Sequence, residues 1–193
     1  EDDPALGRVT VEGGTVNVTA ADDAINSVNA IDINGGTLTL SAGDDAVHAD
    51  QTLNVTNGTI TITRSYEGLE ATKINISGGD TTLTASDDGI NGSDGVTNPM
   101  QNAAAVAVAI SDGTTVVNAN GDGVDSNGSL QISGGTVVVS GPTANNNGAL
   151  DANGTFTASG GTLMAVGSSG MAQAPTSSGS QGYVKYRFGT TQA

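Results

Sequence analysis

Ile31-Asp-Ile-Asn-Gly-Gly-Thr-Leu-Thr-Leu40 consists of two short runs of alternating apolar and polar residues joined by a glycine pair. Alternation with period two marks a strand with one buried face. A glycine pair between such runs marks a tight corner, where positive φ is needed. The stretch is not unique. Related copies start at Val9, Leu53, Ile74, Val108, Leu130 and Phe156, and successive starts are 22, 22, 21, 34, 22 and 26 residues apart. Repetition at a fixed period of 20–50 residues signals a solenoid. After the second strand a corner carries acidic residues, and one more apolar residue then points inward (Ile25, Val47, Leu69, Ile90, Val124, Leu150). Three faces per unit of 21–22 residues predict an all-β fold, a right-handed parallel β-helix of about seven coils.

Composition agrees with a core made of aliphatic ladders. The chain has 193 residues with 36% hydrophobic content but only 3% aromatic and no Trp. Its 29 Gly and frequent Thr, Asn and Val disfavour helix. Without Cys there is no disulfide framework, thiolate zinc site or cysteine nucleophile. A formal charge of −15, from 5 Lys+Arg against 20 Asp+Glu, argues against nucleic acid and anionic membrane as partners. Nothing resembles a signal peptide or a membrane span. An export signal removed before Glu1 would fit a secreted or cell-surface location.

Residues 1–8 are read as an N-terminal cap, 9–166 as the β-helix and 167–193 as a C-terminal cap and tail. Residues 91–105 interrupt the fourth coil as an insertion, 141–148 lengthen the sixth, and Tyr183–Phe188 reads as a final strand. Thr81 and Thr115 occupy positions that are aliphatic in most other coils, on adjacent coils, which suggests that their hydroxyls bond each other inside the core.

Aligned by the first strand, the coils bring their acids into columns. The second corner reads Asp22-Asp23, Asp44-Asp45, Tyr66-Glu67, Asp87-Asp88 and Gly121-Asp122, and three residues on stand Asn26, His48, Glu70, Asn91, Asp125 and Asp151. These columns hold 11 of the 20 acids, with Asp50 and Asp94 close by. Stacked about 4.8 Å apart, like charges oppose one another, which calls for a countercharge. Oxygen donors at irregular spacing suit a hard cation with 6–8 ligands, Ca²⁺ before Mg²⁺. The expected metal ligands are Asp22, Asp23, Asp44, Asp45, Glu67, Glu70, Asp87, Asp88, Asn91, Asp122 and Asp125. His48 is read as a surface substitution in its column. Tyr66, Arg64, Lys73, Asp94 and Asp151 are expected to contact a ligand, with Tyr66 offering an aromatic face. The second strands also present Thr15, Asn17 and Thr19, then Thr37, Thr39 and Ser41, then Thr59, Thr61 and Thr63 outward. These read as a wet face of good strand formers.

Ser86-Asp-Asp-Gly-Ile-Asn91, Ser65-Tyr-Glu-Gly-Leu-Glu70, Gly121-Asp-Gly-Val-Asp-Ser-Asn-Gly128, Gly148-Ala-Leu-Asp151 and Gly167-Ser-Ser-Gly-Met-Ala-Gln-Ala-Pro175 resemble a bacterial family of carbohydrate-binding β-helix domains found on secreted proteins. The resemblance covers nearly the whole chain. It implies a fold similar to the family-nine pectate lyases, bound calcium, and affinity for plant polysaccharides: acidic pectin (polygalacturonate) and cellulose. The matched positions are Asp87, Asp88, Asn91, Glu67, Glu70, Asp122 and Asp125. The first two coils depart from it, reading Asp-Asp-Ala where the pattern has Asp-Asp-Gly. Calcium would then link protein carboxylates to uronates, in a monomer or one part of a larger secreted protein. A pectate-type lyase needs a Lys or Arg base, and only Arg64 and Lys73 flank an acidic corner. The expectation is a binding module and not an enzyme; the alternative is a calcium-stiffened stalk.

Overall fold

The computed structural model describes residues 6–98, 100–176 and 181–189. It is an all-β solenoid of about seven turns, with no helix among the described residues, so none is long and apolar enough to cross a membrane. Three columns of parallel strands run along it. The first stacks β1 (Arg8–Val11), β4 (Ala30–Ile33), β6 (Val47–Val55), β8 (Leu69–Ala85), β10 (Ala107–Ala119), β12 (Ser129–Ile132) and β14 (Phe156–Ala158). The second stacks β2 (Thr15–Thr19), β5 (Thr37–Ser41), β7 (Thr59–Arg64), the later parts of β8 and β10, β13 (Thr136–Ser140) and β15 (Thr162–Val166). The third stacks β3 (Ile25–Ser27), the starts of β6 and β8, β9 (Ile90–Gly92) and β11 (Val124–Ser126), and ends on a bridge from Val124 to Leu150.

The register follows the repeat. Val9, Ile31, Leu53, Ile74, Val108, Leu130 and Phe156 pair one above the next, and from Ile31 onward each is buried. Like aliphatic residues stacked on like fill most of the core, and Phe156 closes the ladder at its downstream end with a buried ring. Each corner after the first strand turns on one glycine with positive φ. At Gly36 (φ 94°) a Cβ would also sit 2.9 Å from the carbonyl oxygen of Gly14 in the coil before, so stacking and conformation both require glycine there.

Two expectations fail. Thr81 and Thr115 do pair in register and are buried, but neither hydroxyl has a hydrogen-bond partner. Strand pairing commits the backbone groups nearby, and two β-branched side chains pointing into an aliphatic core cannot turn their hydroxyls aside without displacing methyl packing. Nor does Tyr183–Phe188 form a strand. Its alternation puts Val184, Tyr186 and Phe188 on one side, where a strand would need an apolar surface to cover them; they remain exposed, with Tyr186 and Phe188 in edge-to-face contact at 4.9 Å. Side chains tether the segment instead, Lys185 Nζ donating to the Ala172 carbonyl at 2.6 Å and Gln181 Nε2 to the Gly161 carbonyl at 3.0 Å.

Residues inserted after β9 fold over the third corner of the following coils: the Ala103 amide donates to the Asn127 carbonyl, and Asn153 Nδ2 donates to the Gln101 carbonyl. The insertion thus runs from beside His48, Asp50 and Glu70, where Ser93 and Asp94 sit, to the third corner of the downstream coils.

Candidate functional site

The acidic edge is two parallel ladders joined by side-chain rungs. The third column sets one of them: Asn26, His48, Glu70, Asn91 and Asp125 are paired in register. The corner just before it sets the other, from Asp23 through Asp45, Glu67, Asp88 and Asp122. In this second ladder carboxylates accept from backbone amides of the next coil. The Asp45 amide donates to Asp23 Oδ1 at 3.0 Å, the Glu67 amide to Asp45 Oδ1 at 3.3 Å and the Asp122 amide to Asp88 Oδ1 at 2.6 Å. The Gly148 amide does the same to Asp122 Oδ1. A carboxylate that caps an amide is held in place, and its second oxygen is left for another partner.

Carboxylate oxygens of this ladder also meet the other one. Asn26 Nδ2 donates to Asp23, and Asn91 Nδ2 donates to Glu67 Oε2 at 2.8 Å. His48 takes the place between them. Its Nδ1 lies 3.1 Å from Asp45 Oδ2 and 3.0 Å from Glu70 Oε2, and its Nε2 lies 3.4 Å from Asp50 Oδ1. Hydrogen bonds to Asp45 and Glu70, outweighing partial burial, push the imidazole up to about 11. It is an imidazolium inside the column rather than a surface substitution. The one sequence signal for this was its position, flanked by Asn26 and Glu70 in a column of oxygen donors.

Carboxylate oxygens of Asp122, Asp125 and Asp151 lie within 4.8 Å of one another, and among the described residues no Lys, Arg or His lies within 4.0 Å of them. Burial first, then Asp88, Asp122 and Asp151, pushes Asp125 up to about 8. Burial and the neighbouring acids push Asp88 up to about 7 and Asp122 up to about 6. Asp151 is also raised by burial, while its Oδ1 accepts from the Ala152 amide and from Gln173. Between Glu70 and Asp125 on the ladder, buried Asn91 has an Oδ1 with no hydrogen-bond partner. Beside them, a Cβ at Gly121 would lie 2.3 Å from Asp88 Oδ1 and 2.4 Å from Asp87 Oδ1, so both carboxylates lean into the space that this glycine leaves. The sequence signal was a gap, since Asp22, Asp44, Tyr66 and Asp87 hold the corresponding positions.

Two further groups gather acids. Asp22, Asp23 and Asp44 bring oxygens within 4.8 Å at the upstream end, and Asp45, Glu67 and Glu70 do so where His48 sits. Burial pushes Glu67 up to about 8 and raises Glu70 and Asp44. The remaining candidates scatter. The Asp87 carboxylate beside it pushes the Tyr66 hydroxyl up to about 12, and the ring is half exposed. Arg64 and Lys73 are exposed at the end of β7 and within β8, with no ion pair to a carboxylate among the described residues. Asp94 is spent on the insertion, its Oδ1 accepting from the amides of Val96 and Thr97 and its Oδ2 from the Thr97 hydroxyl. A hollow of about 200 Å³ between His48, Asp50, Glu70 and Ser93 is smaller than the roughly 300–1,000 Å³ of small-molecule pockets, so a ligand would lie along the edge rather than inside it.

Compared with known proteins, the chain matches the family described as carbohydrate-binding domain-containing protein over residues 1–97 and 45–182. No curated protein and no solved structure matches it.

Proposed function

Because the chain belongs to this family of carbohydrate-binding domains, we propose that it is a secreted, calcium-bound module that holds plant cell-wall polysaccharide without transforming it, with acidic pectin taken at the acidic edge. The observation that carries the reading is the group of Asp122, Asp125 and Asp151 beside Asp88, which no basic side chain among the described residues balances.

The donor set fits Ca²⁺. It is all oxygen, it mixes carboxylates with the unpaired amide oxygen of Asn91, and the cradle at Gly121 gives the carboxylates of Asp87 and Asp88 room on the same side. Asp88, Asn91, Asp122, Asp125 and Asp151 would hold the ion at this end. Asp22, Asp23 and Asp44 would hold another at the upstream end. A bound calcium supplies positive charge that uronate carboxylates can approach. The chain's own residues do the rest: backbone amides fix the carboxylates of Asp88 and Asp122, and the stacked coils repeat the edge at the strand spacing of about 4.8 Å, so a polymer can engage several coils.

The test is a polygalacturonate pull-down with calcium and with EGTA, alongside elemental analysis of the purified protein. Retention that requires calcium and is lost in Asp122→Asn/Asp125→Asn supports the reading. Calcium-free protein that binds polygalacturonate equally well overturns it.

A further inference from the structure

Two apolar rows lie uncovered at opposite ends of the solenoid. At the upstream end β1 pairs only with β4 among the described residues, so its outer edge is open. Its inward Val9 and Val11 are partly buried, whereas Ile31 and Ile33, stacked on them in the next coil, are fully buried. An open strand edge over a half-covered core is a template for another strand.

At the downstream end side chains close the last coil, the Phe156 amide donating to Thr176 Oγ1 at 3.2 Å and Gln181 Nε2 to the Gly161 carbonyl. Beyond Gln181 the chain runs on as Tyr183-Val-Lys-Tyr-Arg-Phe188, where Val184, Tyr186 and Phe188 are 92%, 74% and 59% exposed. These six residues hold three of the chain's five aromatic side chains and two of its five Lys and Arg. An exposed apolar patch rimmed by charge marks an interaction site. The segment cannot cover its own β1. Six coil steps of about 4.8 Å put β1 roughly 29 Å from β14. The three residues from the Gln181 tether to Val184 reach about 10 Å at full extension.

We infer that Tyr183–Phe188 of one copy adds as a strand to the outer edge of β1 in a second copy. In the parallel sense that β1 already uses with β4, placing Val184 beside Val9 and Tyr186 beside Val11 covers both open rows at once. That register also sets Arg187 beside Glu12, two exposed residues of opposite charge, and exposed Lys185 beside Thr10. Sliding the segment by two residues either leaves Val9 uncovered or brings Lys185 onto Arg8. Opposite charges on neighbouring strands stabilise the pairing and like charges oppose it. The contact joins opposite ends of two molecules, so it is heterologous and repeats into linear chains without closing. Copies of net charge −15 repel one another, and salt that screens this repulsion favours the contact. Self-association of this kind stands apart from calcium and glycan binding.

The experiment is analytical ultracentrifugation of the full chain over a concentration series, in EGTA at moderate ionic strength. The average mass of wild type rises with concentration above that of one chain. Tyr186→Ser/Phe188→Ser and Arg187→Glu each weaken association at least tenfold, whereas Thr39→Glu, which adds negative charge on β5, leaves it unchanged. Combining Glu12→Arg with Arg187→Glu restores most of what Arg187→Glu alone loses. All of these positions are exposed, so thermal melts of the variants should match wild type. The chain has no cysteine, so Thr10→Cys and Lys185→Cys variants can be mixed under mild oxidation. A disulfide-linked pair of one of each should form faster than either variant links to itself. Wild type that stays a single chain at every concentration overturns the inference. So does association that the Tyr186 and Phe188 substitutions leave intact, or a charge swap that recovers nothing.

Discussion

His48 Nδ1 lies 3.0 Å from Glu70 Oε2, its partner one coil on in the same ladder, and the same nitrogen is 3.1 Å from Asp45. One coil of the acidic edge therefore carries its own countercharge. Removing it leaves buried Asp45 facing Glu70 with no cation between them, the costly way to break an ion pair. In EGTA, His48→Gln is expected to lose about 1–3 kcal/mol of stability, the scale of hydrogen bonds to charged groups. Calcium should restore much of that loss by entering the Asp45, Glu67 and Glu70 group. Thermal melts of both proteins with and without calcium check this; a substitution without effect in EGTA would show that the imidazolium contributes nothing.

The direction of pH dependence follows from the raised carboxyls. In the folded chain Asp88, Glu67 and Asp125 titrate at about 7, about 8 and about 8, whereas unfolded carboxyls titrate near 4. Between those limits the folded state keeps protons that the unfolded state has released, so stability falls as pH rises through the window and stays low above it. His48 acts in the same direction. With its folded value at about 11, its contribution is whole below about 6.5 and is lost as pH rises through 11. Metal-free protein should thus melt several degrees lower at pH 8 than at pH 5, and excess calcium should flatten the slope. A metal-free melting temperature that climbs over this range would contradict the charge arrangement.

What repeats was legible in the sequence, and what occurs once was not. A spacing of 22 residues places Ile31 on Leu53 and one of 21 places Glu70 on Asn91, because any feature shared by every coil must stack, and those pairings are the ones observed. The columns of Asp23, Asp45, Asp88 and Asp122 were visible for the same reason. Their amide caps were not, since a bond from the Asp122 backbone to Asp88 depends on corner geometry that the pattern does not carry. Asp94 does line the hollow beside His48, Asp50 and Glu70, but that its carboxylate accepts from the Val96 and Thr97 amides is seen only in the fold of the insertion. The alternation of Tyr183–Phe188 reads as a strand in isolation, yet a strand also needs an apolar surface to cover it, which no local pattern reports.

Thr81 and Thr115 make a different prediction because their hydroxyls are buried without partners. A buried hydroxyl without a hydrogen bond costs about 1–3 kcal/mol relative to a satisfied one. Valine keeps the β-branched shape and removes the unpaired group. Thr81→Val and Thr115→Val are each expected to raise stability by about 1 kcal/mol, or roughly 2–4 °C in Tm for a domain of this size. Denaturant melts at pH 7 check the change, and a loss of stability in both variants would mean that the hydroxyls find partners in solution.

Gly121 separates the metal account from general packing. Its backbone does not need positive φ, so alanine is conformationally acceptable there. The obstacle is the neighbour. A Cβ would meet Asp88 Oδ1 at 2.3 Å, Asp87 Oδ1 at 2.4 Å and the Asp87 carbonyl carbon at 2.7 Å. The two carboxylates would have to swing away, taking Asp88 off the Asp122 amide that it caps. Gly121→Ala should cost about 1–3 kcal/mol in EGTA, the range for overpacking a filled site. It should also weaken calcium binding at the Asp88, Asp122 and Asp125 end at least tenfold. The Asp22, Asp23 and Asp44 end lies several coils away and should keep its affinity, so a calorimetric titration should resolve one site weakened and one preserved. Equal affinity at both ends in the variant would show that the space over Gly121 is not part of a cation site.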